Sequence, residues 1–135
     1  KNIFELRLVL EVGMADFIVS RATDEDIKEL YDIVKDEMAP KSDKIFDINY
    51  EVKFHGKLYE MSGNETLKDF QNLLLPVYNY IYSSGLLNLP STDKHFTSHK
   101  ELVEILATRD ADKFRAGMRN HLENHFFRIL TLPND

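Results

Sequence analysis

The sequence predicts an all-α protein, a single domain of 135 residues built as an antiparallel bundle of about six helices. Apolar residues recur at three- and four-residue spacing, and no stretch longer than a few residues alternates with the two-residue period of a strand. Only five Gly and four Pro are present, so there are few places where a helix is broken. This combination is typical of helical bundles with short connections.

The first two predicted helices span about residues 2–20 and 24–38. The residues expected on the core-facing stripe of the first are Phe4, Leu8, Val12 and Ala15. Thr23 and the acidic residues that follow it form a capping box at the start of the second. The residues that this second helix is expected to bury are Ile27, Leu30, Tyr31 and Val34.

The third predicted helix spans about residues 43–61 and ends at Ser62-Gly63-Asn64, which suit a left-handed C-cap. Asn64 is expected to cap the fourth helix, about 65–82.

A loop over about 85–92, which contains Pro90, leads to the fifth predicted helix, about 97–108. Asp110 is expected to cap the sixth, which runs over about 111–130.

The composition excludes several classes of function. Lys and Arg number 17 against 23 Asp and Glu, a net charge of −6, and the basic residues are dispersed among acids. Duplex DNA binding needs clustered basic residues, so we expect none by this chain alone. The absence of Cys excludes disulfides, thiolate zinc sites and cysteine nucleophiles. No apolar run approaches the length of a membrane span, no signal peptide is visible, and a cytoplasmic location is expected.

One carboxylate and one histidine of the third predicted helix point toward the core. Glu51 and His55 are four residues apart and share a helix face with the apolar Ile48, Val52 and Leu58. A buried carboxylate is costly unless it is paired or coordinates a cation. The pair is therefore either a helix-face contact or part of a metal site.

His99 and His121 lie eleven residues before and after Asp110. Residues equidistant from the turn of an antiparallel hairpin lie at the same height, so the two histidines face each other if both point inward. With Glu51 and His55 they would form a divalent metal site of three imidazole nitrogens and one carboxylate oxygen, suited to Zn, Ni, Mn or Fe(II).

Each of these histidines also has a simpler interpretation as a hydrogen-bonded packing residue. A rival pair, His95 and His125, lies fifteen residues on either side of Asp110. His95 is close to the Pro90 loop and need not be helical. His125 follows His121 by one turn and is a candidate substitute ligand, or a hydrogen-bond partner of a ligand.

Four groups of residues occur in the order and spacing of one family's motifs. They are Phe4-Glu5-Leu6-Arg7 with Leu10-Glu11; Arg21-Ala22-Thr23-Asp24-Glu25-Asp26 with Leu30; Phe54-His55 with Leu58 and Ser62-Gly63-Asn64; and His99, Asp110, Met118 and His121-Leu122. In these motifs nearly the whole chain resembles the FCD domain, the C-terminal effector-binding domain of FadR-subfamily GntR transcriptional regulators.

The resemblance implies an all-helical homodimeric sensor, not an enzyme, that binds a small organic acid. The acid and three histidines that hold a metal in many members match Glu51, His55, His99 and His121, and zinc is the metal expected first. The family's acid is usually Asp, so Glu51 moves the carboxylate by about 1.5 Å, one bond length.

The family's N-terminal winged helix-turn-helix is not in this sequence. The chain opens inside a helical pattern, so we expect a segment upstream of it and DNA contact only through that missing domain.

Three further features have two interpretations each. Arg7, four residues before Glu11, is either half of a helix-face ion pair or a cavity guanidinium that binds an effector carboxylate. Tyr59, one turn after His55, either lines the same cavity or packs in the core. The aromatic group near the end of the fourth helix, Tyr78, Tyr80 and Tyr82, is interpreted as bundle filling or a dimer surface in preference to a ligand cage.

Two other functions fit a buried metal. A mononuclear metalloenzyme of the hydrolase type needs a general base, and Glu51 is the only acid expected to face the site. A purely structural metal predicts a closed four-ligand site with no adjoining cavity. A di-iron bundle is disfavoured, because it needs two Glu-x-x-His motifs and this chain has one acid–histidine pair at i, i+4.

Overall fold

All regular structure in the computed structural model, which describes residues 1–39, 48–83 and 95–130, is helical. The helices are α1 (Asn2–Gly13), α2 (Ala15–Arg21), α3 (Asp24–Met38), α4 (Ile48–Met61), α5 (Glu65–Ser83), α6 (His99–Ala107) and α7 (Ala111–Leu130). The predicted all-α class is confirmed. The predicted start of the third helix, 43–47, and the predicted loop over 85–92 lie outside the described residues.

α1 and α2 correspond to the single first helix that the sequence predicts. Helical hydrogen bonds continue across the break, from the Met14 N–H to the Leu10 carbonyl and from the Ile18 N–H to the Met14 carbonyl. The break follows Gly13, a residue of low helix propensity. When α1 and α2 are counted as one interrupted helix, the described ranges contain the six helices expected.

The core-facing stripe of α1 differs from the prediction. Phe4 is buried, as expected, but Leu8 and Val12 are only partly buried against the edge of the core. The buried positions between them are polar, Arg7 and Glu11. The helix is therefore rotated relative to the apolar stripe, because its charged residues pair inside the bundle.

α3 begins with the predicted capping box. The Thr23 hydroxyl accepts the Asp26 N–H at 3.1 Å, and the Asp26 carboxylate accepts the Thr23 N–H at 3.0 Å. Ile27, Leu30 and Val34 are buried, whereas Tyr31 is 40% exposed. The prediction for Tyr31 is wrong, because α3 buries one face against α4 and α6 and Tyr31 lies about 100° around the helix from Leu30.

A short turn joins the two helices within each of the hairpins α4–α5 and α6–α7, which position the site. Gly63 adopts φ 68° after α4, and the Asn64 side chain accepts the Leu67 N–H at the start of α5. Asp110 caps α7 by accepting the Lys113 N–H at 3.1 Å. These predicted caps are confirmed.

α6 begins two residues later than predicted, at His99. Ser98 is its N-cap, and the hydroxyl of Ser98 accepts the Glu101 N–H. Thr97 is instead bonded to α7: its N–H and its hydroxyl both donate to the side-chain oxygen of Asn120.

The helices pack around one interior. α7 packs against α1, α2 and α6, while α4 packs against α3 and α5 and also contacts α2. The largest buried apolar side chains come from several of these helices and include Ile18, Leu30, Phe54, Leu58, Leu102, Phe114 and Met118. No helix within the described ranges is long and apolar enough to cross a membrane.

The capping box predicts an acid-sensitive contribution to stability. The Thr23 N–H holds the pKa of Asp26 below its usual value against the opposing effect of burial, and Lys57 adds to the lowering. A lowered folded-state pKa stabilises the fold above the unfolded pKa, and that stability is lost as pH falls through the folded value. Asp26→Asn should therefore destabilise the protein at about pH 7, and the difference should shrink at about pH 3.

Urea unfolding at both pH values measures this difference. Asp32→Asn, at an exposed position of the same helix, is the matched control. An Asp26→Asn deficit of equal size at both pH values would contradict the assignment.

Candidate metal centre

Four side chains from three helices converge inside the bundle. Glu51 and His55 come from α4, His99 from the first turn of α6 and His121 from α7, and all four are buried. One ligand atom of each lies within 4.8 Å of the others. The rings of His99 and His121 have centroids 4.7 Å apart, as the hairpin spacing predicts.

Two of the three imidazoles place their Nε2 atoms against the Glu51 carboxylate, and the third places its Nε2 atom against one of those two. Glu51 Oε1 is 3.1 Å from Nε2 of His55, and Glu51 Oε2 is 3.1 Å from Nε2 of His99. Nε2 of His121 lies 3.2 Å from Nε2 of His55. The cluster is therefore built from three nitrogens and a carboxylate turned toward one another.

The other ring nitrogen, Nδ1, of each histidine contacts an oxygen. Nδ1 of His55 contacts Glu11 Oε1, and Nδ1 of His121 contacts the Thr97 carbonyl at 2.7 Å. Nδ1 of His99 is 2.9 and 3.1 Å from the two oxygens of a carboxylate of α3, Glu37. A carbonyl or an ionised carboxylate only accepts hydrogen bonds, so each Nδ1 carries the donated proton.

The protons on Nδ1 leave lone pairs on Nε2 in the neutral rings. The lone pairs of His55 and His121 then face each other at 3.2 Å, which is unfavourable unless a cation lies between them. Nε2 of His99 is buried and has no hydrogen-bond partner of good geometry, although Glu51 is close. The donor set therefore fits a bound cation, and three imidazoles with one carboxylate suit a divalent metal.

Arg7 is the buried cation beside the cluster. Its Nε donates to Glu11 Oε2 at 2.5 Å, and its Nη2 donates to Glu51 Oε1 at 2.8 Å. Burial by itself would raise the pKa of Glu11, but the positive charge of Arg7 and the hydrogen bonds from Arg7 and His55 outweigh it and lower that pKa. Glu11 is thus kept ionised inside the bundle.

The pKa of His99 is shifted in the opposite direction from that of Glu11. Burial favours its neutral form, but its contacts with Glu37 and Glu51 outweigh burial and raise the pKa of His99 to about 9. A proton on this ring and a metal at its Nε2 are alternative ways to supply positive charge next to the carboxylates.

A small cavity adjoins Glu51 and His55, between α1, α4 and α5. About 10 Å³ of it is open to the centre of a water molecule, which is room for about one water. Its walls include Arg7, Tyr59 and Tyr78, together with Glu11, Val52, Gln71 and Leu75. The side chains that line the cavity nearly fill it.

The hydroxyl group of Tyr78 is buried at this cavity without a hydrogen-bond partner. The Arg7 guanidinium lies 5.4 Å from the centre of the same ring. Burial raises the pKa of Tyr78 to about 12 and that of Tyr59 further, so both hydroxyls are neutral donors at physiological pH.

Comparison with known proteins identifies the fold. Residues 2–124 match the family model of the FCD domain. This chain belongs to the FCD domain family. The match covers α1 to α6, most of α7 and the four converging side chains.

Curated relatives of this FCD domain are transcriptional regulators of the GntR type. It is 26% identical over 129 residues to the HTH-type transcriptional regulator LutR of Bacillus subtilis, covering 92% of this chain and 59% of LutR. The Uxu operon regulator of Haemophilus influenzae is 25% identical over 141 residues, which covers 98% of this chain and 52% of that protein. The Nta operon transcriptional regulator of Aminobacter aminovorans is 26% identical over 133 residues, with 97% and 61% covered.

The chain therefore spans between about half and three fifths of the length of these relatives. No solved structure matches it.

The FCD domain brings together six residues that the sequence singled out. Four are the converging side chains, and the others, Arg7 and Tyr59, line the adjoining cavity. Both interpretations of Arg7 apply at once, because it pairs with Glu11 and also faces the cavity. Tyr59 likewise is buried in the core and lines the cavity.

The rival histidine pair receives no support from its first member. The His95 side chain is 76% exposed, lies outside any helix and contacts Glu101 at 3.1 Å. The side chain of His125 lies outside what the structure describes.

One expectation about the acids is wrong. Glu51 is not alone, because Glu11 and Glu37 also contact histidines of the cluster. Glu11 belongs to the first-helix motif of the family resemblance, and its i, i+4 spacing from Arg7 indicates that the two side chains lie on the same helix face. Glu37 lies 62 residues before His99, and nothing local in the sequence indicates their contact.

Removing Arg7 should strongly destabilise the protein. Arg7→Met would leave two carboxylates, Glu11 and Glu51, buried without their shared cation, and breaking a buried ion pair in this way costs about 3–5 kcal/mol. Urea unfolding at neutral pH with a metal chelator present measures the loss. Arg119→Met, which breaks an exposed i, i+4 pair with Glu123, should change stability by about 0.5 kcal/mol or less. Similar losses in the two variants would contradict the importance of the buried pairing.

Proposed function

We propose that this FCD domain is the sensor of a GntR-type transcriptional regulator and binds a small organic acid beside one divalent metal. The metal ligands are Glu51, His55, His99 and His121. The observation that carries the proposal is the set of three Nε2 atoms turned toward one buried carboxylate, with each Nδ1 already held by an oxygen.

The charges around the cluster support a divalent ion. Three carboxylates, Glu11, Glu37 and Glu51, contact the histidines, and the guanidinium of Arg7 is bonded to two of them. With neutral imidazoles these groups sum to −2, which one divalent cation neutralises. Nitrogen-rich ligation without thiolates favours zinc, while Ni, Mn and Fe(II) suit the same donors.

The effector site would combine the metal with the adjoining cavity. A divalent metal with open coordination positions supplies a Lewis-acidic centre for a carboxylate oxygen. Arg7 and Tyr59 line the cavity on the side of Glu51 and are the residues assigned to the effector. A guanidinium binds a carboxylate through two parallel hydrogen bonds, so Arg7 is suited to fix the orientation of the acid.

The small size of the cavity suggests how binding is transmitted. An acid larger than one water molecule has to move the side chains that now fill the space. Those side chains belong to α1, α4 and α5. An effector that binds the opened arrangement more tightly than the filled one shifts the balance between them, and this differential affinity is what regulation requires.

DNA recognition is assigned to a separate N-terminal winged helix-turn-helix domain. One relative is named an HTH-type regulator, and this chain spans 59% of its length. The net charge of −6 also disfavours a duplex-binding surface on this chain. Such a regulator works in the cytoplasm. Specific binding of duplex DNA by this chain alone would contradict the assignment.

The acids around the cluster favour a binding site over an enzyme active site. Glu11 and Glu37, the acids that the sequence did not predict at the site, are both engaged by histidine Nδ1 atoms and so are not positioned as general bases. The three relatives are regulators by name, which also favours binding over catalysis.

The metal is tested by histidine substitution. His99→Ala and His121→Ala should each cause loss of the one zinc per chain on dialysis, because each removes one of the four ligands and leaves three. His95→Ala is the matched control, since this histidine is exposed and outside the cluster. Metal content after dialysis measures the outcome, with circular dichroism to check the fold. Retention of zinc after loss of both His99 and His121 would refute the proposed ligands.

The acid is tested with the same variants. A panel of small organic acids should contain members that raise the melting temperature of the zinc-loaded protein and leave the metal-free protein and His99→Ala unchanged. A purely structural metal would give zinc binding without any acid-dependent shift. Equal shifts with and without zinc would contradict a joint metal–effector site.

We further propose a homodimer that uses the outer face of α5. Four large apolar side chains at helical spacing are exposed there, Phe70, Leu73, Val77 and Tyr80. An apolar patch of this kind is typical of an interaction surface, and a two-fold dimer suits palindromic DNA sites. Light scattering should give about twice the 15.8 kDa chain mass, and Leu73→Lys should lower it. A wild-type mass near 15.8 kDa at high micromolar concentration would count against the dimer.

A further inference from the structure

His99 differs from the other two histidines of the cluster in the group that holds its Nδ1 proton. His121 donates to a neutral backbone carbonyl, that of Thr97. His55 donates to Glu11, a fully buried carboxylate that is also bonded to a guanidinium. In both cases the group that accepts the Nδ1 proton is either neutral or already paired with a cation.

Glu37, the partner of His99, has a different environment. Both of its oxygens lie within 3.1 Å of Nδ1 of His99, and its side chain is 32% exposed at the end of α3. Across residues 1–39, 48–83 and 95–130, no Lys or Arg side chain pairs with it. Among the described residues, its negative charge is therefore directed at His99 without a competing cation.

The packing of the His99 ring leaves two orientations open, and the contact with Glu37 decides between them. Phe54 stacks on the imidazole with ring centroids 4.3 Å apart and an interplanar angle of 22°. Stacking fixes the plane of the ring but does not distinguish the two orientations related by a 180° rotation about χ2. One orientation turns Nε2 toward Glu51, and the other turns a carbon there instead. The hydrogen bond to Glu37 selects the first.

We propose that Glu37 is the positioning residue that sets the metal affinity of the site. It holds His99 with Nε2 facing the other ligands, fixes the tautomer whose lone pair is on that atom, and makes the imidazole a stronger donor. α3 contributes none of the four ligands, so Glu37 links the site to a helix that otherwise supplies nothing to it. The inference rests on the proposed metal function and adds a residue to it.

Zinc affinity, measured by competition with a chromophoric chelator at constant pH, tests the proposal. Glu37→Ala should weaken zinc binding by about 10–100-fold, the range for loss of a group that orients a ligand. Glu37→Gln should weaken it less, because the amide keeps an acceptor oxygen and loses the charge. Asp36→Asn is the matched control, since it removes the same charge from the same exposed turn and should leave zinc affinity unchanged.

A second measurement separates positioning from a general effect on folding. In the zinc-loaded wild type and in Asp36→Asn, nitrogen NMR should report His99 as protonated at Nδ1 and metal-bound at Nε2. In Glu37→Ala this signature should be lost, while the signals of His55 and His121 persist and circular dichroism shows that the metal-free protein keeps its helical fold.

The outcomes are distinguishable from failure of the proposed function. Wild-type zinc binding with equal affinity in Glu37→Ala would overturn this inference alone. Equal losses in Glu37→Gln and Asp36→Asn would also overturn it, because the effect would then come from charge at the end of α3. A wild-type protein that binds no zinc would overturn the proposed metal function, and this inference with it.

Discussion

The burial of charged groups where α1, α4, α6 and α7 meet is the constraint on which the rest of this structure depends. A carboxylate in a bundle core is tolerated only when its oxygens are paired. Glu51 is paired through the guanidinium of Arg7 on α1 and two imidazoles, that of His55 on its own helix and that of His99 on α6. Each of these helices therefore has to approach with a particular rotation, and α1 turns its charged residues inward at the expense of part of its apolar stripe.

Pairing buried charges stabilises helix packing little, because the desolvation of the charged groups offsets their attraction. An apolar interior of similar volume is often as stable as a buried ionic cluster, or more so, and the neighbouring core of Phe54, Leu102 and Met118 shows that these helices pack well without charge. The cluster therefore fits the proposed binding role better than a role in stability. The raised pKa of His99 and the lowered pKa of Glu11 have the same origin, since each group takes the charge that its partners require.

The same charges connect the candidate metal site to the cavity. Glu51 faces the imidazoles with both oxygens and also accepts a hydrogen bond from Arg7, which lines the cavity. A ligand that changes the position of Arg7 changes the partners of Glu51 at the same time. In a densely packed bundle such a change is passed to the backbone, because side chains that fill a cavity cannot move independently.

The sequence by itself determined the local structure and the four converging side chains. Helix limits follow from caps such as Thr23, Asn64 and Asp110, whose side-chain hydrogen bonds reach only three residues along the chain. The meeting of His99 and His121 follows from hairpin symmetry, which needs only the position of the turn. Both are short-range geometry, so a single sequence contains them.

Only the tertiary structure decided which groups surround those side chains. The contact of Glu37 with His99 depends on how α3 lies against α6, and the contact of Glu11 with His55 depends on the rotation of α1. The exposure of Tyr31 has the same cause, because periodicity predicts an apolar face but not how much of it a neighbouring helix covers. Contacts between residues distant in sequence are fixed by the packing of whole helices, and helix periodicity alone does not predict that packing.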